Sequence, residues 1–279
     1  MKIRLIILVI ASAFWMINLE SQAQEKFNLG YKFEKGKTYR FTQDNIIESI
    51  QEISGQEMKF NTNMHFVLKY EVEDVSSEGM MTLVYNYDEY KLQNKGMGRD
   101  TTMDMKNMLT KKTRAEITKY GKIIRETSTD TAKTSKRLMS LNLTGNTNLA
   151  MLPEQAVGIG DKWPMISSDT NTSEESQRIY KRNMECSLVG KDNNGNHDCL
   201  KINYKGTLEI TGKMKQMGMD MVMEGSGEVS GTLWFDPTSG ITVENQSNTS
   251  LEMTVTLTGQ AQMTIPMSQK MSSTQKLKE

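Results

Sequence analysis

Histidine, cysteine and proline are scarce in this chain, and net charge is absent. With 2 His and 2 Cys among 279 residues, a structural zinc site of the usual four-ligand kind would need carboxylates to complete it. Lys plus Arg is 34 and Asp plus Glu is 34, so the chain exerts no overall pull on nucleic acid or acidic lipid. The charged fraction is 24% and the hydrophobic fraction 37%, which argues against a highly charged disordered chain. Gly-x-Ser-x-Gly, His-Glu-x-x-His and a phosphate-cradling glycine loop are all missing. His65 and His197 have no nucleophile at a recognisable spacing. The acidic residues are scattered, so no carboxylate pair stands out. No catalytic residue is nominated and no cofactor is called for; an unrecognised hydrolase is the minor alternative.

The one long apolar run is at the start. Lys2 and Arg4 precede Leu5 to Ile17, and Ser21-Gln22-Ala23 places small residues where a signal peptidase reads. The run is about thirteen residues, short of the roughly twenty that a spanning helix needs. Residues 1–23 are therefore expected to be a signal peptide. The remaining chain is expected to be periplasmic or secreted, with no transmembrane span after cleavage.

What the rest of the chain has is period two. From Met219 to Phe235 the odd positions read Met, Met, Met, Gly, Gly, Val, Gly, Leu, Phe, and the positions between are mostly polar. The odd parity resumes at Ile241 and Val243, then from Leu251 to Met267. Even positions carry it at Met58 to Val72 and again at Met184, Cys186 and Leu188. Apolar-in, polar-out alternation predicts long antiparallel strands packed on one side. The fold class is mainly β with little helix, the one helix candidate being residues 130–141.

Two stretches match in order and spacing. Gly36-Lys37-Thr38-Tyr39 parallels Gly160-Asp161-Lys162-Trp163, and 36 residues separate both Tyr85 from Gly121 and Tyr204 from Gly240. This predicts an internal duplication. Residues 24–127 form the first β repeat, 128–155 a polar connector and 156–279 the second repeat. Together they make a curved sheet or half-barrel.

The segment Gly160-Asp161-Lys162-Trp163-Pro164 after Leu152-Pro153, and Gly231-Thr232-Leu233-Trp234-Phe235-Asp236 followed by Gly240, resemble turn motifs of an uncharacterised exported protein family of Bacteroidota. A looser architectural resemblance is to periplasmic lipoprotein carriers, whose half-barrel sheets hold acyl chains; fold alone does not fix function. Asp130-Thr131-Ala132 resembles the O-glycosylation acceptor triplet of that phylum, which implies modification at Thr131.

Methionine is the abundant oddity, at 23 residues. The candidate ligand face comprises Met217, Met219, Met221 and Met223, with Met103 and Met105 in the matching stretch of the first repeat. Thioethers on one strand face suit core filling, an adaptable groove, or a soft metal such as Cu(I). The leading expectation is a non-enzymatic binding protein of the cell envelope whose partner is a lipid, a hydrophobic ligand or an envelope protein; a Cu(I)-binding protein is the alternative. Cys186 and Cys199 flank a turn in an oxidising compartment, which suggests a disulfide, although their parity opposes it.

Overall fold

The computed structural model describes residues 25–96, 98–104, 109, 112–128, 149–173, 176–216, 219–258 and 262–278. The expected signal peptide, the helix candidate, Thr131, Met105 and Met217 lie outside these. In chain order the strands are β1 (Lys26–Phe27), β2 (Thr38–Ile53), β3 (Gln56–Val75), β4 (Met81–Gly96), β5 (Arg99–Asp104), β6 (Thr113–Ile117) and β7 (Ile123–Ser128). There follow β8 (Val157–Gly158), β9 (Lys162–Ser173), β10 (Ser176–Asn194), β11 (His197–Gln216), β12 (Met219–Asp236), β13 (Ile241–Thr258) and β14 (Met263–Lys278). The mainly-β fold is thus as the alternation predicts. In β2, for example, Phe41, Gln43, Asn45 and Ile47 are buried while Asp44, Ile46 and Glu48 are exposed.

Twelve strands form one antiparallel sheet in the order β7-β6-β4-β3-β2-β14-β13-β12-β11-β10-β9, with β5 also on β4; β1 and β8 form a separate small sheet. Each half of the large sheet is a meander, and β14 joins the two by pairing with both β13 and β2. The edges β7 and β9 do not pair among the described residues, so the sheet is strongly curved without closing into a barrel.

The meanders share local detail. The Gly36 N–H donates to the Val72 carbonyl at 2.9 Å and the Val72 N–H to the Lys37 carbonyl at 3.0 Å. In the second meander the Gly160 N–H donates to the Leu188 carbonyl at 2.7 Å and the Leu188 N–H to the Asp161 carbonyl at 3.1 Å. A β-bulge follows each acceptor, at Val72/Asp74 and at Leu188/Gly190. The cross-strand row Tyr39–Tyr70–Tyr85–Thr113 has as its counterpart Trp163–Cys186–Tyr204–Gly231. Tyr85 and Tyr204 therefore occupy the same place in their respective meanders.

Two apolar clusters fill the concave side. The larger includes Phe41, Tyr70, Leu83, Ile117, Leu188, Ile202 and Phe235, and takes in Leu29, Tyr31 and Phe33 from the segment before β2. That segment is a strap across one end of the sheet: the Tyr31 N–H donates to the Lys119 carbonyl at 2.7 Å and the Lys32 N–H to the Gly240 carbonyl at 3.0 Å. It links the β6–β7 turn of one meander to the β12–β13 turn of the other. The smaller cluster gathers Ile47, Tyr180, Leu208, Ile210, Met214, Met223, Leu251, Met253 and Met271. Each such side chain contributes about 1.5–3 kcal/mol by leaving water.

Candidate ligand cavity

A cavity of about 320 Å³ lies on the concave face, at the second meander. Its apolar wall includes Met165, Met184, Ile202, Leu208, Val229 and Met271, with Trp163 at one side. Strand alternation aims them inward: Trp163, Met165, Ser167 and Asp169 share a face of β9, as do Tyr180, Arg182, Met184 and Cys186 of β10. Glycines on β12 let neighbouring groups pack close beside this wall. A Cβ at Gly231 would stand 2.3 Å from the Tyr204 ring, and one at Gly227 would stand 2.0 Å from the Ser250 carbonyl oxygen.

The floor is polar. Asn245 and Ser247 of β13, Ser273 and Gln275 of β14 and Gln43 of β2 line it together. Gln43 Nε2 donates to Asn45 Oδ1 at 3.0 Å and to Ser273 Oγ at 3.2 Å, and the Tyr204 hydroxyl donates to Asn245 Oδ1 at 2.9 Å. Burial pushes the Tyr204 phenol up to about 12, against the opposing effect of hydrogen bonds with Ser247 and Asn245. Trp163 Nε1 is buried at the wall with no hydrogen-bond partner. The atom is sealed from the cavity as from bulk water, and a buried polar group without a partner costs roughly 1–3 kcal/mol.

Residues 149–152 roof the cavity, so the end of the segment read as a polar connector is an apolar lid. The Leu152 N–H donates to the Tyr120 carbonyl at 2.8 Å, and Leu152 is buried in the larger cluster. The lid fits over the β6–β7 turn because position 121 is glycine. Its φ is +81°, and a Cβ there would meet the Ala150 carbonyl oxygen at 2.4 Å. The rim carries Lys122, Ser168 and Ile166, the last 66% exposed. Arg182 and Asp169, both lining residues, form an ion pair.

The methionines singled out by sequence are placed differently. Met223 is 2% exposed inside the smaller cluster, and Met221 packs against that cluster, where it opposes Met214 across the ladder. Met219 begins β12 opposite Gln216. Met103 lies on β5 opposite Leu92 and is 37% exposed. Met103, Met221 and Met223 do not line the cavity; Met151, Met165, Met184 and Met271 do.

The suggested disulfide is corrected by the register. Cys186 opposes Tyr204, whereas Cys199 opposes Asp192, and both thiols are free and buried. Tyr204 and Cys199 are five positions apart along β11, about 16 Å, well beyond the ~7 Å Cα limit of a bridge. Burial, with Glu185 nearby, pushes the Cys186 thiol up to about 12. Burial first, then Asp236, pushes Cys199 up to about 11. Neither is a thiolate nucleophile at neutral pH.

The histidines are outside the lining. His65 Nδ1 lies 2.7 Å from Asp44 Oδ1 at the surface. His197 Nδ1 lies 2.9 Å from Asp236 Oδ2, whose carboxylate also accepts from the Thr238 and Ser239 N–H groups and the Ser239 hydroxyl. Burial opposes ionisation of Asp236, but these hydrogen bonds outweigh it and hold its carboxyl below the usual range. This cluster fixes the turn after β12. No group of three or more His, Cys, Asp or Glu able to hold a metal occurs among the described residues.

No protein-family model matches the chain, and no curated protein matches it. Among solved structures, it is similar to an outer membrane channel from Pseudomonas putida F1, over 89% of this chain and 97% of that one. The identity is 9% and the TM-score 0.25, a likeness too slight to bear on fold or function.

Proposed function

We propose that this is a non-enzymatic binding protein of the cell envelope, and that it holds a lipid or other small hydrophobic ligand in the roofed cavity. The observation that carries the reading is the cavity itself. A partly open pocket of about 320 Å³ lies between two well-packed clusters, and it is walled by methionines and branched aliphatics. That volume is at the lower end of small-molecule sites, which are mostly apolar with a few placed polar groups. Unbranched thioethers let such a wall adapt to its guest. The envelope location rests on the leader-like residues 1–23.

The direct test is native mass spectrometry of protein isolated from its own host's envelope fraction, looking for a co-purified lipid. A solution test is binding of the apolar fluorophore N-phenyl-1-naphthylamine. Met184→Trp should fill the cavity and abolish binding while the circular dichroism spectrum stays that of a β protein. Absence of both a co-purified molecule and fluorophore binding would defeat the reading.

A further inference from the structure

We infer that the ligand's head is uncharged: the cavity selects a neutral amphiphile, such as an acylglycerol or long-chain alcohol, over a fatty-acid anion. This rests on the cavity reading above and concerns the chemistry at its floor.

A direct row of cross-strand partners runs Trp163–Cys186–Tyr204–Gly231–Ser247–Ser273–Asn45. At this level the lining side chains bring a phenol and two serine hydroxyls, and the adjoining level adds the amides Asn245 and Gln275. Amides and hydroxyls both donate and accept, so they can satisfy an ester, hydroxyl or amide head. They bring no net charge. A carboxylate taken out of water without a paired cation is far costlier than a neutral polar group.

Neither lining cation offers a buried, unpaired charge at this level. Arg182 opposes Ser167 on β9, four residues beyond the Trp163–Cys186 pair, or about 13 Å along the strand, and it is ion-paired to Asp169. Lys122 is exposed at the rim. Lys276, on β14 between the lining residue Gln275 and Leu277, pairs with Glu244. The hydroxyls of Tyr204, Ser247 and Ser273 and the amides of Asn245 and Gln275 supply what a ligand oxygen needs at the floor. The apolar body would then lie against Met165, Met184 and Leu208.

The experiment is displacement of N-phenyl-1-naphthylamine at pH 8 by three ligands of one chain length: monolaurin, laurate and dodecylamine. Monolaurin should displace the probe at a concentration at least about tenfold below that of either charged ligand, a gap of ~1.4 kcal/mol or more. Ser247→Ala should weaken monolaurin about fivefold, the worth of one buried hydrogen bond. Ser273→Ala should reduce the same preference. Laurate displacing as well as monolaurin, or Ser247→Ala and Ser273→Ala both leaving the preference intact, would overturn the inference but keep the cavity as a site. Failure of the probe and all three ligands to bind would overturn the cavity reading, and the inference with it.

Discussion

The Tyr31 hydroxyl donates to the Ala150 carbonyl at 3.0 Å and sits 3.2 Å from Thr242 Oγ1. A phenol has one proton, so the threonine hydroxyl is the donor in the second bond. One side chain thus joins the strap, the lid and β13. Burial pushes the Tyr31 phenol up to about 12, with Thr242 and then Ala150 acting the other way. Tyr31→Phe should cost about 1–3 kcal/mol, because buried Thr242 and half-buried Ala150 both lose their bond. Denaturant titration measures the loss, and stopped-flow release of N-phenyl-1-naphthylamine should be faster in the variant.

The buried methionines of β12 should behave as core. Met223→Ala should destabilise by about 2–5 kcal/mol, the usual cost of truncating a buried Met. Probe affinity should change little, because Met223 is packed in the smaller cluster and does not line the cavity. A variant with unchanged denaturation midpoint would show the side chain to be unpacked in solution.

The two cysteines should react as buried thiols. Iodoacetamide at pH 8 should label Cys186 and Cys199 slowly in the folded protein, since burial holds both thiols well above that pH. In denaturant without reductant, intact-mass measurement should show two adducts. Recovery of unlabelled protein there would reveal a bridge that the register forbids.

Acid should weaken the far side of the sheet first. Glu244, 6% exposed, accepts from Asn194 Nδ2 at 2.9 Å and Gln246 Nε2 at 2.7 Å. Burial raises its pKa, but these bonds and Lys276 outweigh that and leave it below the usual 4.5. Asp236 is likewise below its ordinary 3.8. A folded-state pKa below the unfolded one gives stability that is present at neutral pH. It begins to go as pH falls past about 4.5 and is gone only below the folded values. Glu244→Gln should flatten part of the fall in melting temperature between pH 5 and pH 3; a melting curve as acid-sensitive as wild type would refute this.

Much of the architecture was legible because period two and turn glycines are local signals. The matched positions of Tyr85 and Tyr204 follow from spacing alone. The cavity did not, and the reason is physical. Alternation tells which side chains share a face, but not how tightly the sheet coils or where the enclosed volume is left open. One signal was nonetheless present: the odd apolar parity of β13 breaks at Asn245, Ser247 and Thr249 and resumes at Leu251. That break is the polar floor, and Gln43 and Asn45 interrupt β2 in the same way. Trp163 and Met165 were hidden because Ser167 and Asp169 follow on the same face and make the strand read as a polar edge. The cysteine pair required register, which a bulge at Leu188/Gly190 alters beyond what spacing shows.

The strap also imposes an order of assembly. Tyr31 and Thr242 are 211 residues apart in the chain, yet they meet. A contact between such distant residues has a large loop-closure cost and forms slowly. In synthesis, residues 29–33 appear about 200 residues before the turn at Gly240 that receives Lys32. The strap and the β14–β2 seam, whose Arg40 and Lys278 are 238 residues apart, are therefore expected to close late, after each meander has zipped. Until then the concave interior lacks its cover at that end.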